Sequence, residues 1–287
     1  MNGNFNMTPV SVIAPAKLNL FLHINNKRAD GYHELETLFT FLDFGDELTF
    51  TLKNENNITL CGDTNDIPNE DNLIYKAALA LQPYKKVSLG VNIKLIKKLP
   101  MGGGVGGGSS DAATTLLTLN KLWQCQLSIA ELAKIGIQLG ADVPVFVHGK
   151  TAVAQGIGEK LAPAELPKKW YCVVFPNVHI STAEIFTHPD LPRNTPKLSE
   201  GWKLAETRND CEALVKKLNS EVEKTLLWLL KYGPSRMTGT GACCFVELDS
   251  QIAAQRVLNS LPSYWQGFVA PNTTNSPAHT QLDEWVK

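Results

Sequence analysis

The chain has no long apolar run. Its longest candidates, residues 143–147 and 226–230, fall far short of the roughly twenty residues that a membrane-spanning helix needs, and they read as short core pieces. It also has no surplus of charge of either sign: 27 Lys and Arg face 28 Asp and Glu, for a formal net charge of −1. Bulk attraction to nucleic acid or to an anionic membrane is therefore not expected. Six cysteines are present (Cys61, Cys125, Cys172, Cys211, Cys243 and Cys244), but none forms a Cys-x-x-Cys pair, and the histidines lack zinc-binding spacing. Reduced thiols in a cytoplasmic protein are expected instead. Residues 1–12 contain no basic stretch leading into an apolar core, so no secretory signal is expected there. No internal repeat or low-complexity block occurs.

Hydrophobic residues make up 44% of 287, enough to bury the core of one large domain or two ordinary ones. Glycine is concentrated in one place. Six of the 21 glycines fall in the run Pro100-Met101-Gly102-Gly103-Gly104-Val105-Gly106-Gly107-Gly108-Ser109-Ser110-Asp111. Such a run is costly in backbone entropy, so bare backbone must be needed here. Before it, Val87, Leu89, Val91, Ile93 and Leu95 alternate as in a half-buried strand. After it, Ala112, Leu116, Leu119 and Trp123 share one helical face, and Ser109 or Ser110 is the expected N-cap.

Strand, glycine loop, serine cap and helix together make a phosphate site. The first amides of a helix lack internal partners and sit at the positive end of the dipole, and glycines let a polyphosphate approach them. The run is not a Walker loop, because Gly108 stands where the lysine should be. Gly102-x-Gly104-x-x-Gly107 formally matches the dinucleotide fingerprint, but many registers would match within so dense a run. The acidic residue near the required distance, Glu131, lies in a stretch that reads as a capped helix rather than at a strand end.

The sequence Pro-x-Gly-Gly-Gly-x-Gly-Gly-Gly-Ser-Ser resembles the phosphate loop of the GHMP kinase superfamily, with Val105 and Asp111 as mild departures. Further segments resemble one branch of it, which phosphorylates 4-diphosphocytidyl-2-C-methyl-D-erythritol. They are Pro15-Ala16-Lys17-Leu18-Asn19-Leu20-Phe21-Leu22, the turn Arg28-Ala29-Asp30-Gly31-Tyr32-His33 and Gly140-Ala141-Asp142-Val143-Pro144, while Met237-Thr238-Gly239-Thr240-Gly241 resembles the third motif of the superfamily as a whole. The resemblance spans about residues 10–270, in the family's order. It implies an α+β, two-domain GHMP kinase fold. The first domain, residues 1–160, would resemble domain 2 of ribosomal protein S5, and residues 161–287 would be ferredoxin-like.

The resemblance also implies a cast of residues. Asp142 would accept the proton of the acceptor hydroxyl, with Lys17 between that carboxylate and the hydroxyl. Asn72 and Leu73 would lie near adenine. Lys97 and the loop residues Pro100, Met101, Gly102, Gly103, Gly104, Val105, Gly106, Gly107, Gly108, Ser109 and Ser110 would bind the rest of ATP. Asn19, Tyr32, His33, Thr182, Phe186, Thr240 and Gly241 would hold the acceptor, with Tyr32 and Phe186 on the two faces of cytosine. An aromatic ring offers a flat apolar face to a base, and histidine can donate or accept at its edge. ATP and Mg²⁺ are the implied cofactors, though no metal ligand can be named. The Asp111 carboxylate is expected to point away from the nucleotide or toward magnesium. The implied partner is a small-molecule substrate, with no nucleic acid and no membrane, in a monomer or homodimer.

From the residues alone, 10–24 reads as two strand pieces broken near Pro15, 72–81 as a helix and 209–230 as one helix ending at Gly233-Pro234. Residues 1–8 and 271–287 read as polar tails.

Overall fold

The computed structural model describes residues 8–64 and 67–285, so residues 1–7 of the tail expected at 1–8, residues 286–287 of the tail expected at 271–287, and residues 65–66 lie outside it. The first half runs β1 (Val10–Lys27), β2 (His33–Lys53), β3 (Ile58–Gly62), α1 (Leu73–Leu81), β4 (Gly90–Ile96), α2 (Gly107–Leu122), α3 (Ile129–Leu139), α4 (Val143–His148), β5 (Ala152–Gly156) and β6 (Lys160–Pro163). The second half runs β7 (Trp170–Phe175), α5 (Thr182–Thr187), α6 (Glu212–Leu218), α7 (Ser220–Leu229), β8 (Ser235–Met237), β9 (Cys244–Leu248), α8 (Gln251–Asn259), β10 (Gln266–Thr273) and α9 (Pro277–Trp285). This is the expected α+β class.

The long strand β2 organises the molecule. One edge pairs antiparallel with β1 along its length. The other edge is shared: residues 35–39 take β5, 41–42 take β10 and 47–53 take β4. Through β10 the first sheet continues into the antiparallel run β10-β7-β9-β8, so the two halves share backbone hydrogen bonds. The first core lies between the sheet of β1, β2 and β4 and the helices α1, α2 and α4, with Trp123, Phe41 and Phe50 fully buried. The second core lies under α6, α7 and α8.

Four expectations change. Strand β1 is continuous through Pro15. Proline cannot donate to the ladder, and the strand absorbs this with a register shift between Pro15 and Lys17 instead of breaking. Residues 209–230 form two helices, because Asn219 adopts extended φ −140° and its side chain accepts from Glu221 N–H to start α7 anew. The boundary expected at 160/161 falls at the start of β6, which pairs with β5 and so stays with the first sheet. The polar tail also returns to the first half. Ala278 and Leu282, four residues apart on α9, enter the first core, and Gln281 Oε1 accepts from Ile13 N–H at 2.8 Å.

Candidate active site

The glycine loop leads directly into α2. The N-cap is Gly106, at φ +78°, and no side chain caps it. Ser109 and Ser110 therefore lie inside the first turn rather than at the cap. The first intrahelical bond runs from Ser110 N–H to Gly106 O (2.8 Å), so the amides of Gly107, Gly108 and Ser109 have no helical acceptor. A serine hydroxyl at the cap would compete for these donors; a glycine leaves them for an anion.

Carbonyls of the same loop are tied to the protein body. Gly103 O accepts from Cys243 N–H (2.9 Å) and Val105 O from Lys17 N–H (3.0 Å), while the Thr238 hydroxyl lies 3.4 Å from Gly104 O. In trans peptides the N–H points opposite the carbonyl, so these anchors turn the amides of Gly104, Val105 and Gly106 the other way. The Thr238–Cys243 segment thus acts on the loop by holding its carbonyls. At Gly104, with φ +76°, an added Cβ would lie 2.5 Å from Thr238 O, so glycine is required by both conformation and space.

Lys17 and Asn19 share one face of β1, as the alternation predicts. The Lys17 ammonium is buried, 2.5 Å from Asn19 Oδ1, 3.5 Å from Asp142 Oδ2 and 5.3 Å from the centre of the Phe39 ring. Asn19 is fixed in turn, because its Nδ2 donates to Thr37 Oγ1 (2.8 Å) and that hydroxyl donates to Phe21 O (2.5 Å). Asp142 sits at the N-terminal end of α4 but makes no capping bond, and its side chain is 41% exposed. A carboxylate that neither caps nor is sealed, beside a buried ammonium, is free to take a proton from a bound hydroxyl.

The far end of the cleft is aromatic. His33 and Phe186 have ring centres 5.2 Å apart, tilted by 34°, whereas Tyr32 is 60% exposed at the rim. Thr182 and Thr240 exchange a hydroxyl hydrogen bond of 2.9 Å across the entrance to α5. Arg193 was not legible in the sequence. Its Nε donates to His33 Nε2 (3.0 Å), and its terminal nitrogens donate to the carbonyls of Leu191, Phe186 and His188. It lies in a proline-rich stretch that carries no spacing signal. Burial, then the nearby Arg193 and Lys27 charges, push the His33 pKa below its usual value.

Lys97 is engaged by two carboxylates, Asp46 Oδ2 at 2.5 Å and Asp111 Oδ2 at 2.9 Å. Asp46 also accepts the backbone N–H of Lys98 and of Leu99. Asp111 points its Oδ2 at Lys97, and its Oδ1 is buried without a partner among the described residues. Burial opposes the charge on Lys97, but Asp111 and Asp46 outweigh it and raise its pKa. For Asp111, burial and the Asp46 charge exceed the pull of Lys97, and its pKa rises from 3.8 to about 7. The folded state keeps a proton that the unfolded chain releases, so this contribution to stability is full below pH about 4, falls as pH rises and is gone above about 7. The Tm advantage of wild type over Asp111→Asn is expected to shrink from acid toward neutral pH and then level off. A difference independent of pH across that window would show Asp111 to be ionised throughout.

These parts line one cleft of about 740 Å³. Lys17, Asn19, Tyr32, His33, Asn72, Leu73, Lys97, Asp142, Thr182, Phe186 and Thr240 line it, with residues 100–104 (Pro100, Met101, Gly102, Gly103, Gly104) and 106–109. Of the residues expected there, Val105 and Ser110 are buried beneath the loop and Gly241 lies outside the lining. Asn72 does double service, since its side chain caps α1 by accepting from Ile74 N–H (2.9 Å).

Comparison with known proteins agrees with this geometry. Residues 72–150 match the family described as GHMP kinases N terminal domain, and residues 196–267 match GHMP kinases C terminal. A relative from Pseudoalteromonas translucida (strain TAC 125), named 4-diphosphocytidyl-2-C-methyl-D-erythritol kinase, is 66% identical over 277 residues, covering 96% of this chain and 98% of its own. The chain belongs to the GHMP kinase family. A relative of the same name from Tolumonas auensis (strain DSM 9187 / NBRC 110442 / TA 4) is 55% identical over 274 residues, covering 94% of this chain and 95% of its own. A crystal structure titled 4-(cytidine 5'-diphospho)-2C-methyl-D-erythritol kinase superposes with TM-score 0.81 at 30% identity, over 92% of this chain and 99% of its own. Methanococcus jannaschii mevalonate kinase, at 14% identity and TM-score 0.66 over 95% of this chain and 99% of its own, shares the fold alone. This GHMP kinase is a small-molecule kinase that uses ATP, and none of its described helices is long and apolar enough to cross a membrane.

Proposed function

We infer that this GHMP kinase transfers the γ-phosphoryl group of ATP to the 2-hydroxyl of 4-diphosphocytidyl-2-C-methyl-D-erythritol, a step of non-mevalonate isoprenoid synthesis. The carrying observation is that one cleft joins free helix amides, the Lys17–Asp142 pair at 3.5 Å and the His33–Phe186 ring pair. These suit a polyphosphate, a reacting hydroxyl and a base in turn, and the named relatives supply the acceptor's identity.

Phosphoryl transfer depends chiefly on positioning and charge stabilisation. The amides of Gly107, Gly108 and Ser109 would hold the phosphates. Asp142 would take the hydroxyl proton, and Lys17 would offset the negative charge that develops beside it. Tyr32 and Phe186 would flank the cytosine, and Asn19, Thr182 and Thr240 would orient the polyol. Magnesium supplies neutralisation of the polyphosphate. It keeps several waters and needs only one or two protein oxygens. The Ser109 hydroxyl, which lines the cleft, would be one of those oxygens. Six unpaired cysteines, five of them buried, suit a reducing compartment such as the cytoplasm.

The test is ADP release with this acceptor, run beside the same polyol lacking its cytidine diphosphate. Turnover with the first and little with the second is expected. Equal turnover would remove the base-holding role, and no turnover by folded, ATP-binding protein would remove the acceptor.

A further inference from the structure

Arg193 has five N–H donors and no acceptor. Its contact with His33 Nε2 therefore requires a lone pair on that nitrogen, so the ring proton of neutral His33 resides on Nδ1. Nδ1 itself bonds no described residue, and it is not among the sealed polar atoms. The same guanidinium donates to Phe186 O (2.9 Å), a carbonyl in the last turn of α5, and to His188 O (2.8 Å), which also accepts from Leu191 N–H (3.2 Å). One side chain thus ties the β1–β2 turn of the first half to α5 of the second, and it holds both rings of the aromatic end.

We propose that Arg193 is the positioning residue of the base site: it locks His33 as the neutral Nδ1–H tautomer and sets Phe186 beside it. The acceptor's pyrimidine then meets a single donor at a fixed place rather than a ring that exchanges tautomers. This deepens the reading given above and rests on it only for the identity of the base. The charges facing His33 agree. Arg193 comes from the loop after α5 and Lys27 from the end of β1, directly across the ladder, and both disfavour a second proton on the ring. Arg28, in the adjoining turn, is taken by Asp30 and Glu34.

The experiment is ¹⁵N NMR of the His33 ring in wild type and Arg193→Gln, titrated through the histidine range, with steady-state kinetics alongside. In wild type, Nδ1 is expected to carry the proton, with a midpoint below 6.5. In Arg193→Gln the tautomers should mix and the midpoint should move up. KM for the cytidyl acceptor should rise about tenfold, the worth of one modest hydrogen bond, with KM for ATP unchanged. Arg193→Lys, which cannot reach His33 and both carbonyls at once, should restore the midpoint but not KM. The NMR arm needs no substrate, so it stands even if the acceptor were wrong. Wild-type His33 protonated on Nε2 would overturn the proposal even if the variants failed to fold. So would an unchanged tautomer and midpoint in folded Arg193→Gln.

Discussion

Asp142→Asn is expected to lower kcat by about 10²–10⁴-fold, the usual worth of a positioned general base. The side chain makes no capping bond to α4, so the amide replaces it without undoing local structure. It is 41% exposed, so little packing is lost. What disappears is the ability to accept a proton 3.5 Å from the Lys17 ammonium. The glycine loop is untouched, and KM for ATP should hold. The loss should stop short of total inactivity, because positioning by the loop amides survives in the variant. Near-normal turnover by folded Asp142→Asn would remove the base from the mechanism and leave Lys17 and the amides to carry the reaction.

Much of this site was legible because its chemistry is written in contiguous segments. The glycine run could not be ordinary loop, and the alternation before it gave β4. Lys17 and Asn19, two apart, had to share a strand face. What was misread shows where local reasoning ends. A serine beside a helix start is normally a cap, yet here the helix begins three residues earlier at Gly106, because the site needs its first amides unclaimed. For Asp111 the sequence suggests only a carboxylate turned away from the nucleotide or toward magnesium. Its partners, Asp46 and Lys97, come from β2 and from the segment after β4, 65 and 14 residues away, and no window contains all three.

The fold shows the same division. Helix α1 with its Asn72 cap and α3 with its Ser128–Glu131 capping box follow from short-range signals and occur as expected. The return of α9 to the first core rests on two small apolar contacts, Ala278 and Leu282, within a polar helix, a signal too sparse to separate from a solvated tail. Arg193 is the extreme case. Its bond to His33 is made across 160 residues of sequence, its other bonds go to the carbonyls of Leu191, His188 and Phe186, and nothing around it marks it.

Lys17→Met should lower kcat by about 10²–10³-fold, the scale measured when one preorganised stabilising donor is removed. Methionine keeps the unbranched stem that passes Gly106, so most of the packing of the 4% exposed side chain is retained and the ammonium over the Phe39 ring is lost. The variant removes the short bond to Asn19 Oδ1 and leaves it the long contact of the Thr238 hydroxyl (3.5 Å), at a cost of about 1–3 kcal/mol, but it also relieves the desolvation of a buried ammonium. Stability should therefore change less than activity, and thermal unfolding separates the two. The decisive comparison is the double variant. If Lys17 and Asp142 act on one proton and one developing charge, Lys17→Met/Asp142→Asn should be barely slower than the slower single variant. Multiplicative losses would mean that the two side chains serve separate steps, with Lys17 steadying phosphate rather than the attacking oxygen.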